Sequence, residues 1–150
     1  MTENDVRAIA LFFFYALLDD QKAIEAGARA LNLAKDIKRK NTNISTSLAL
    51  ITATDQVWKK EEAEARRQFA IRSLNKGWAL PDGTDLSPWR DFHKQSTGDE
   101  ISVVIWSKIL GLPESEIALA LELPEGTIRY RVNHALRKLG DLTSSRPSLV

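Results

Sequence analysis

The chain has no cysteine. That excludes a disulfide, a thiolate metal site and a cysteine nucleophile. It has two histidines, His93 and His134, and no His-x-x-x-His or Glu-x-x-His pairing around them, so no metal is expected. Gly27, the glycines of residues 75–98 and Gly111 are scattered and form no phosphate loop. Asp19-Asp20 is better placed to cap a helix than to do acid–base chemistry. No catalytic residue, cofactor or enzymatic activity is therefore expected. Long apolar runs are missing as well. The longest, residues 8–18, has eleven residues and includes Phe12, Phe13, Phe14 and Tyr15. It is too short to span a bilayer and no basic stretch precedes it, so it reads as a buried helix. Neither a membrane span nor a secretory signal is expected, which fits a cytoplasmic protein.

What is there is ordinary globular composition, 43% hydrophobic and 27% charged over 150 residues, enough for one domain or two small ones. The net charge of +1 hides an asymmetry: residues 123–150 carry five Lys/Arg against two Asp/Glu, and residues 1–122 carry sixteen against eighteen. The last segment is thus +3 and the rest −2. A basic balance confined to one segment points to nucleic acid more than the whole-chain charge does.

That segment belongs to the most informative stretch, ISVVIWSKILGLPESEIALALELPEGTIRYRVNHALRKLGDL at 101–142. Its pattern predicts a helix, a short helix over about 113–121, a tight turn at Glu122-Leu123-Pro124 and a longer basic helix. Pro113 suits a helix start, Glu114 and Glu116 favour the positive end of the helix dipole, and Pro124 disfavours α geometry at Leu123. Ile117, Ala118 and Leu121 would pack inward. In the last helix Ile128, Val132, Ala135, Leu136 and Leu139 form one apolar stripe. Thr127, Arg131, His134 and Lys138 would form the opposite row, flanked by Arg129, Asn133 and Arg137. Arg, Asn and Thr can donate to base edges, and Arg and Lys can neutralise phosphates. A helix-turn-helix with such a face is built to enter the major groove. Thr127, Arg129, Arg131, Asn133, His134, Arg137 and Lys138 are the candidate DNA contacts.

The segment GLPESEIALALELPEGTIRYRVNHALRKL resembles region 4 of sigma-70 family factors, most of all the extracytoplasmic-function group. The matching positions include Gly111, Leu112, Glu116, Ile117, Ala118, Leu121, Pro124, Gly126, Thr127, Ile128, Arg131, Val132, Ala135 and Leu139. LuxR-type regulators share Glu-Ile-Ala and a Thr-Val step, but Pro-x-Gly-Thr and Ala-Leu-Arg-Lys-Leu lean towards sigma. The resemblance covers about 45 residues, under a third of the chain. Two residues depart from the pattern. Glu122 stands where the family has Gly in the turn, which at positive φ costs on the order of 1 kcal/mol. Pro113 stands where the family has a Ser or Thr cap.

The N-terminal half reads as three helices, making the chain all-α. The first is capped near residues 2–5 and runs to about residue 18. The second covers about 21–40, with Ile24, Ala28, Leu31 and Ala34/Lys35 as its apolar stripe and Lys38-Arg39-Lys40 at its end. The third runs from about Ser45 to 74, its acidic and basic residues alternating at helical spacing. Arg66, Arg67 and Arg72 there read as a solvated face. Resemblance to sigma region 2 is partial: Phe12–Tyr15 and Asp19-Asp20 are suitably spaced, but AGARAL replaces the polymerase-binding signature. A degenerate region 2 and an unrelated helical interaction domain both remain open.

Residues 75–98 read as a Gly/Pro/Asp-rich connector that also carries Trp78, Leu80, Leu86, Trp89 and Phe92, either docked on the helices or binding a partner. The expected division is a helical unit at 1–74, this connector, a helix-turn-helix domain at 99–142 and a frayed tail at 143–150. The resemblance implies a transcription factor that reads an upstream promoter element in double-stranded DNA and engages RNA polymerase core. The alternatives are a sigma-mimic adaptor for an anti-sigma factor, and a regulator independent of polymerase, for which a homodimer is allowed.

Overall fold

Caps and breakers set the N-terminal helices much as the sequence predicts. The structure is a computed structural model, and it describes residues 1–68 and 85–144. Thr2 caps α1 (Glu3–Leu17): its hydroxyl accepts the Asp5 N–H at 3.2 Å, and the Asp5 carboxylate accepts the Thr2 N–H at 2.9 Å. This reciprocal pair satisfies two donors that a helix start leaves open. Leu18 ends α1 in the left-handed region at φ 52, and its N–H donates to Phe14 O at 3.0 Å. Asp19 then caps α2 (Asp20–Lys40) by accepting the Lys22 N–H at 3.0 Å. Ser45 Oγ accepts the Leu48 N–H at 3.0 Å where α3 (Thr46–Gln68) begins.

The buried stripe of α2 is the expected one only in part. Ala23, Ala26, Gly27, Ala30 and Ala34 are buried, whereas Ile24 is 62% exposed and Ala28 and Lys35 are exposed. Leu31 is half-buried. α2 packs against both α1 and α3, and small side chains let the backbones approach closely. The closely packed face is therefore written in small residues, with the bulkier Ile24 on the outside.

The second half of the expected connector is helix. Within it, α4 (Ser87–Gln95) has a proline in its first turn, where the missing N–H is harmless. Leu86, Trp89, Phe92 and His93 are buried. Arg72, Trp78 and Leu80 lie outside the described residues, as do the side chains of Arg66 and Arg67 and residues 145–150. Thr97 and Glu100 form a second capping box at the start of α5 (Gly98–Val104). α5 runs on into a π turn, Ile105–Ile109, that buries Ile105 and Trp106 side by side. Gly111, at φ 67, ends the turn, a backbone state that suits glycine. α6 (Glu114–Leu121) and α7 (Glu125–Ser144) complete the chain. All secondary structure among the described residues is helical.

One core spans both halves. Trp106 stacks on Phe12 with centroids 5.5 Å apart, and its Nε1–H donates to Thr54 Oγ at 2.9 Å. Trp89 Nε1–H donates to Tyr15 O at 2.9 Å, His93 Nε2–H to Ala16 O at 2.7 Å and Trp58 Nε1–H to Gly98 O at 3.2 Å. Buried indole rings are costly unless their N–H groups find acceptors. Here each described tryptophan finds its acceptor across the seam, so the helix-turn-helix half is held to the N-terminal helices. No helix among the described residues is long and apolar enough to cross a membrane.

Candidate nucleic-acid interface

Local chemistry fixes the angle between α6 and α7. Pro113 is the cap residue of α6, one position outside the helix, and offers no side-chain cap. Its carbonyl accepts the Glu116 and Ile117 N–H groups at 3.1 Å. At the other end Glu122 takes the left-handed conformation at φ 58, and the Leu123 N–H closes the turn on Ala118 O at 3.0 Å. The place held by glycine in the resembling family is a true positive-φ position, here occupied by Glu122. Pro124 then opens α7, its carbonyl accepting the Thr127 N–H at 3.0 Å.

The core stripe of α7 is as expected: Ile128, Val132 and Ala135 are buried, with Leu136 and Leu139 packed beside them. Ile117 and Ala118 of α6 face them, and Leu121 is half-buried. The polar side of α7 splits into two flanks. The structure does not leave Thr127, Arg131, His134 and Lys138 as one open row. Thr127, Arg131 and Lys138 are half-buried. Lys138 Nζ donates to both Glu100 oxygens at 3.1 and 3.2 Å and to Gln95 O at 3.1 Å. His134 Nδ1 lies 2.8 Å from Glu100 Oε2. Arg131 Nη1 lies 4.0 Å from Asp99 Oδ2. This flank clasps α7 to the α4–α5 corner.

Glu100 is the centre of the clasp. Burial pushes its carboxyl up, but the Thr97 N–H, the His134 ring and Lys138 together outweigh burial and hold it below the ordinary carboxylate range. The residue is missing from the sequence-based candidates, as are Gln95, Asp99 and Tyr130. The Thr97-x-x-Glu100 spacing reveals a capping box, but nothing local reveals that its acid also meets a helix 34 and 38 residues on.

The other flank is open. Arg129, Asn133 and Arg137 are exposed at successive steps of four, with exposed Tyr130 beside them. Arg129 lies 3.5 Å from both Glu114 and Glu125 and keeps 58% of its side chain exposed. Tyr130 stacks on His134 at 5.9 Å. An exposed row of Arg, Asn and Arg offers donors to base edges and charge to phosphates. Among the described residues, no group of three or more His, Cys, Asp or Glu is arranged to hold a metal ion.

The family model described as Sigma-70, region 4 matches residues 100–139. Among solved structures, the chain is similar to the sigma factor RpoE from Bartonella quintana, crystallised in complex with the anti-sigma factor NepR. The TM-score is 0.72 at 18% identity, covering 93% of this chain and 92% of that one. At that identity the likeness is one of fold. No curated protein matches the chain. The matched segment takes in the Glu100 cap, the α6 helix, the positive-φ turn and α7 as far as Leu139, and residues 100–139 thus resemble sigma-70 region 4.

Proposed function

We propose that this protein is a sigma-like transcription factor, acting in the cytoplasm, whose α7 reads an upstream promoter element in the major groove. The observation that carries this is the open row Arg129, Asn133 and Arg137 on the second helix of a helix-turn-helix inside the region 4-like segment. Arg129, Asn133 and Arg137 make the primary contacts, with Tyr130 and the ring edge of His134 at the margin. Arg131 and Lys138 hold the helix in place, and Thr127 lies at its mouth. The N-terminal helices engage RNA polymerase core.

A second reading is favoured by the fold likeness to a sigma factor bound to an anti-sigma factor. In it the chain serves as an adaptor for such a factor and needs no DNA. Two features support it: Ala26–Leu31 lacks the polymerase-binding signature, and three of the basic α7 residues are engaged within the fold.

Binding of the purified chain to promoter-derived duplexes, measured against salt with and without RNA polymerase core, separates these readings. Binding in the presence of core, with a negative salt slope, supports the sigma-like factor. Binding to DNA equally well without core supports a self-sufficient regulator. Absence of binding in both cases overturns the DNA reading and leaves the adaptor.

A further inference from the structure

We propose that the C-terminal end of α2 is a second contact for the phosphate backbone, on the same duplex that α7 reads. The proposal rests on the DNA reading of α7. Residues 35–43, KDIKRKNTN, carry Lys35, Lys38, Arg39 and Lys40 against one acid, Asp36, for a local charge of +3. Lys35, Arg39 and Lys40 are exposed, as are Asn41, Thr42 and Asn43 in the loop that follows.

The fold brings this end to the helix-turn-helix. Lys38 Nζ donates to Thr46 Oγ1 at 2.7 Å, which folds the basic end onto the start of α3. Ser45 Oγ donates to Glu116 Oε1 of α6 at 2.9 Å, and α3 packs along α6. On α6, Glu114 lies 3.5 Å from Arg129 of the reading row. The start of α3 and then α6 therefore separate the basic corner from α7. Packed helix axes lie about 8–10 Å apart, and the major groove is about 12 Å wide. A helix seated in that groove has a phosphate ridge on either side. In helix-turn-helix docking the first helix crosses one of those ridges. On this proposal the α2 corner, reached from α6 through the start of α3, meets the same ridge.

The helix dipole accounts for cations in the last turn of α2. It does not account for Lys35, five residues before the helix end. Nor does it account for the missing acids. Arg29, Lys59, Arg131 and Lys138 each have an acidic partner, and so does Arg39, in Asp36. Lys35 and Lys40 have none among the described residues, as is also true of Arg7, Lys60, Arg90, Lys108 and Arg137, but only at the α2 end do two such lysines fall in one local run of charge +3. The two acids in between are engaged, Glu114 by Arg129 and Glu116 by Ser45.

The test uses the full chain with both unpaired lysines replaced, Lys35→Ala/Lys40→Ala, leaving Lys38 on Thr46 and Arg39 on Asp36. Affinity for a mixed-sequence duplex several helical turns long is followed against salt by anisotropy. Each lost phosphate contact lowers the slope of log K on log salt by about 0.9, so the double variant is expected to lose about 2. Preference among duplex sequences should stay as in the wild type, and Lys35→Arg/Lys40→Arg should restore the slope. An unchanged slope in the alanine variant, with the wild type binding and Arg137→Ala lowering the slope, overturns the second contact alone. If the wild type binds no duplex with or without polymerase core, the reading of α7 falls first and takes this contact with it.

Discussion

The two flanks of α7 carry similar residues and do different things. Arg131, His134 and Lys138 face the α4–α5 corner and share its acids, Asp99 and Glu100. Arg129, Asn133 and Arg137, offset by roughly a third of a turn, stand in the open. Charge on a helix is therefore not by itself a footprint. A cation half-buried against the α4–α5 corner sets the helix's rotation, and an exposed one, even Arg129 beside Glu114 and Glu125, is left accessible to a ligand. The α2 end adds a second distinction: Lys38 and Arg39 are engaged, while Lys35 and Lys40 are not.

The clasped flank breaks hardest at its centre. Glu100→Ala removes the α5 capping box and the shared acceptor of His134 and Lys138. We expect a loss of about 2–3 kcal/mol, as for charge-assisted hydrogen bonds together with a cap, read from urea unfolding. Glu100→Gln keeps the box geometry and should lose about half as much. On the open flank, Arg137→Ala or Asn133→Ala should cost about 1–3 kcal/mol of DNA affinity where the side chain reads a base, with unfolding midpoints nearly unchanged. Lys138→Ala should do the reverse, lowering stability while leaving the salt slope of DNA binding as it was. A steep slope loss for Lys138→Ala would erase the difference between the flanks.

Acid sharpens the same contrast. The folded-state carboxyl of Glu100 lies below its ordinary value of 4.5. Its contribution is therefore complete above that value and is lost as pH falls through the lowered one. Stability measured down the acid limb should fall less steeply in Glu100→Gln than in the wild type. The smallest effect belongs to a site outside both flanks. Glu122→Gly relieves a left-handed glutamate at φ 58 and should raise stability by on the order of 1 kcal/mol, with the clasp and the open row unaffected.

How much of this was legible in the sequence depends on the range of the interaction. The caps at Thr2 and Asp19 and the core stripe of α7 are local and follow from neighbouring residues, whereas the positive φ at Glu122 follows only from the resemblance, whose family has glycine there. The expected α2 stripe weights apolar periodicity by size and shares only Ala34 and half-buried Leu31 with the packed face. Ile24 drew the face outward, while the closely packed side was written in alanines at 23, 26, 30 and 34. α4 hides in a stretch whose Gly, Pro and Asp content reads as linker, although Trp89, Phe92 and His93 already stand at helical spacing. The sorting of α7 into two flanks was not legible at all, because it depends on Gln95, Asp99 and Glu100, more than thirty positions away along the chain.

Three of the four tryptophans sit on the seam between the halves with each indole N–H bound across it. The chain thus carries its own optical gauge. Separation of the helix-turn-helix from the N-terminal helices, whether by a partner, by polymerase or by denaturant, would move Trp58, Trp89 and Trp106 into water together. Their emission should shift to the red without any label attached.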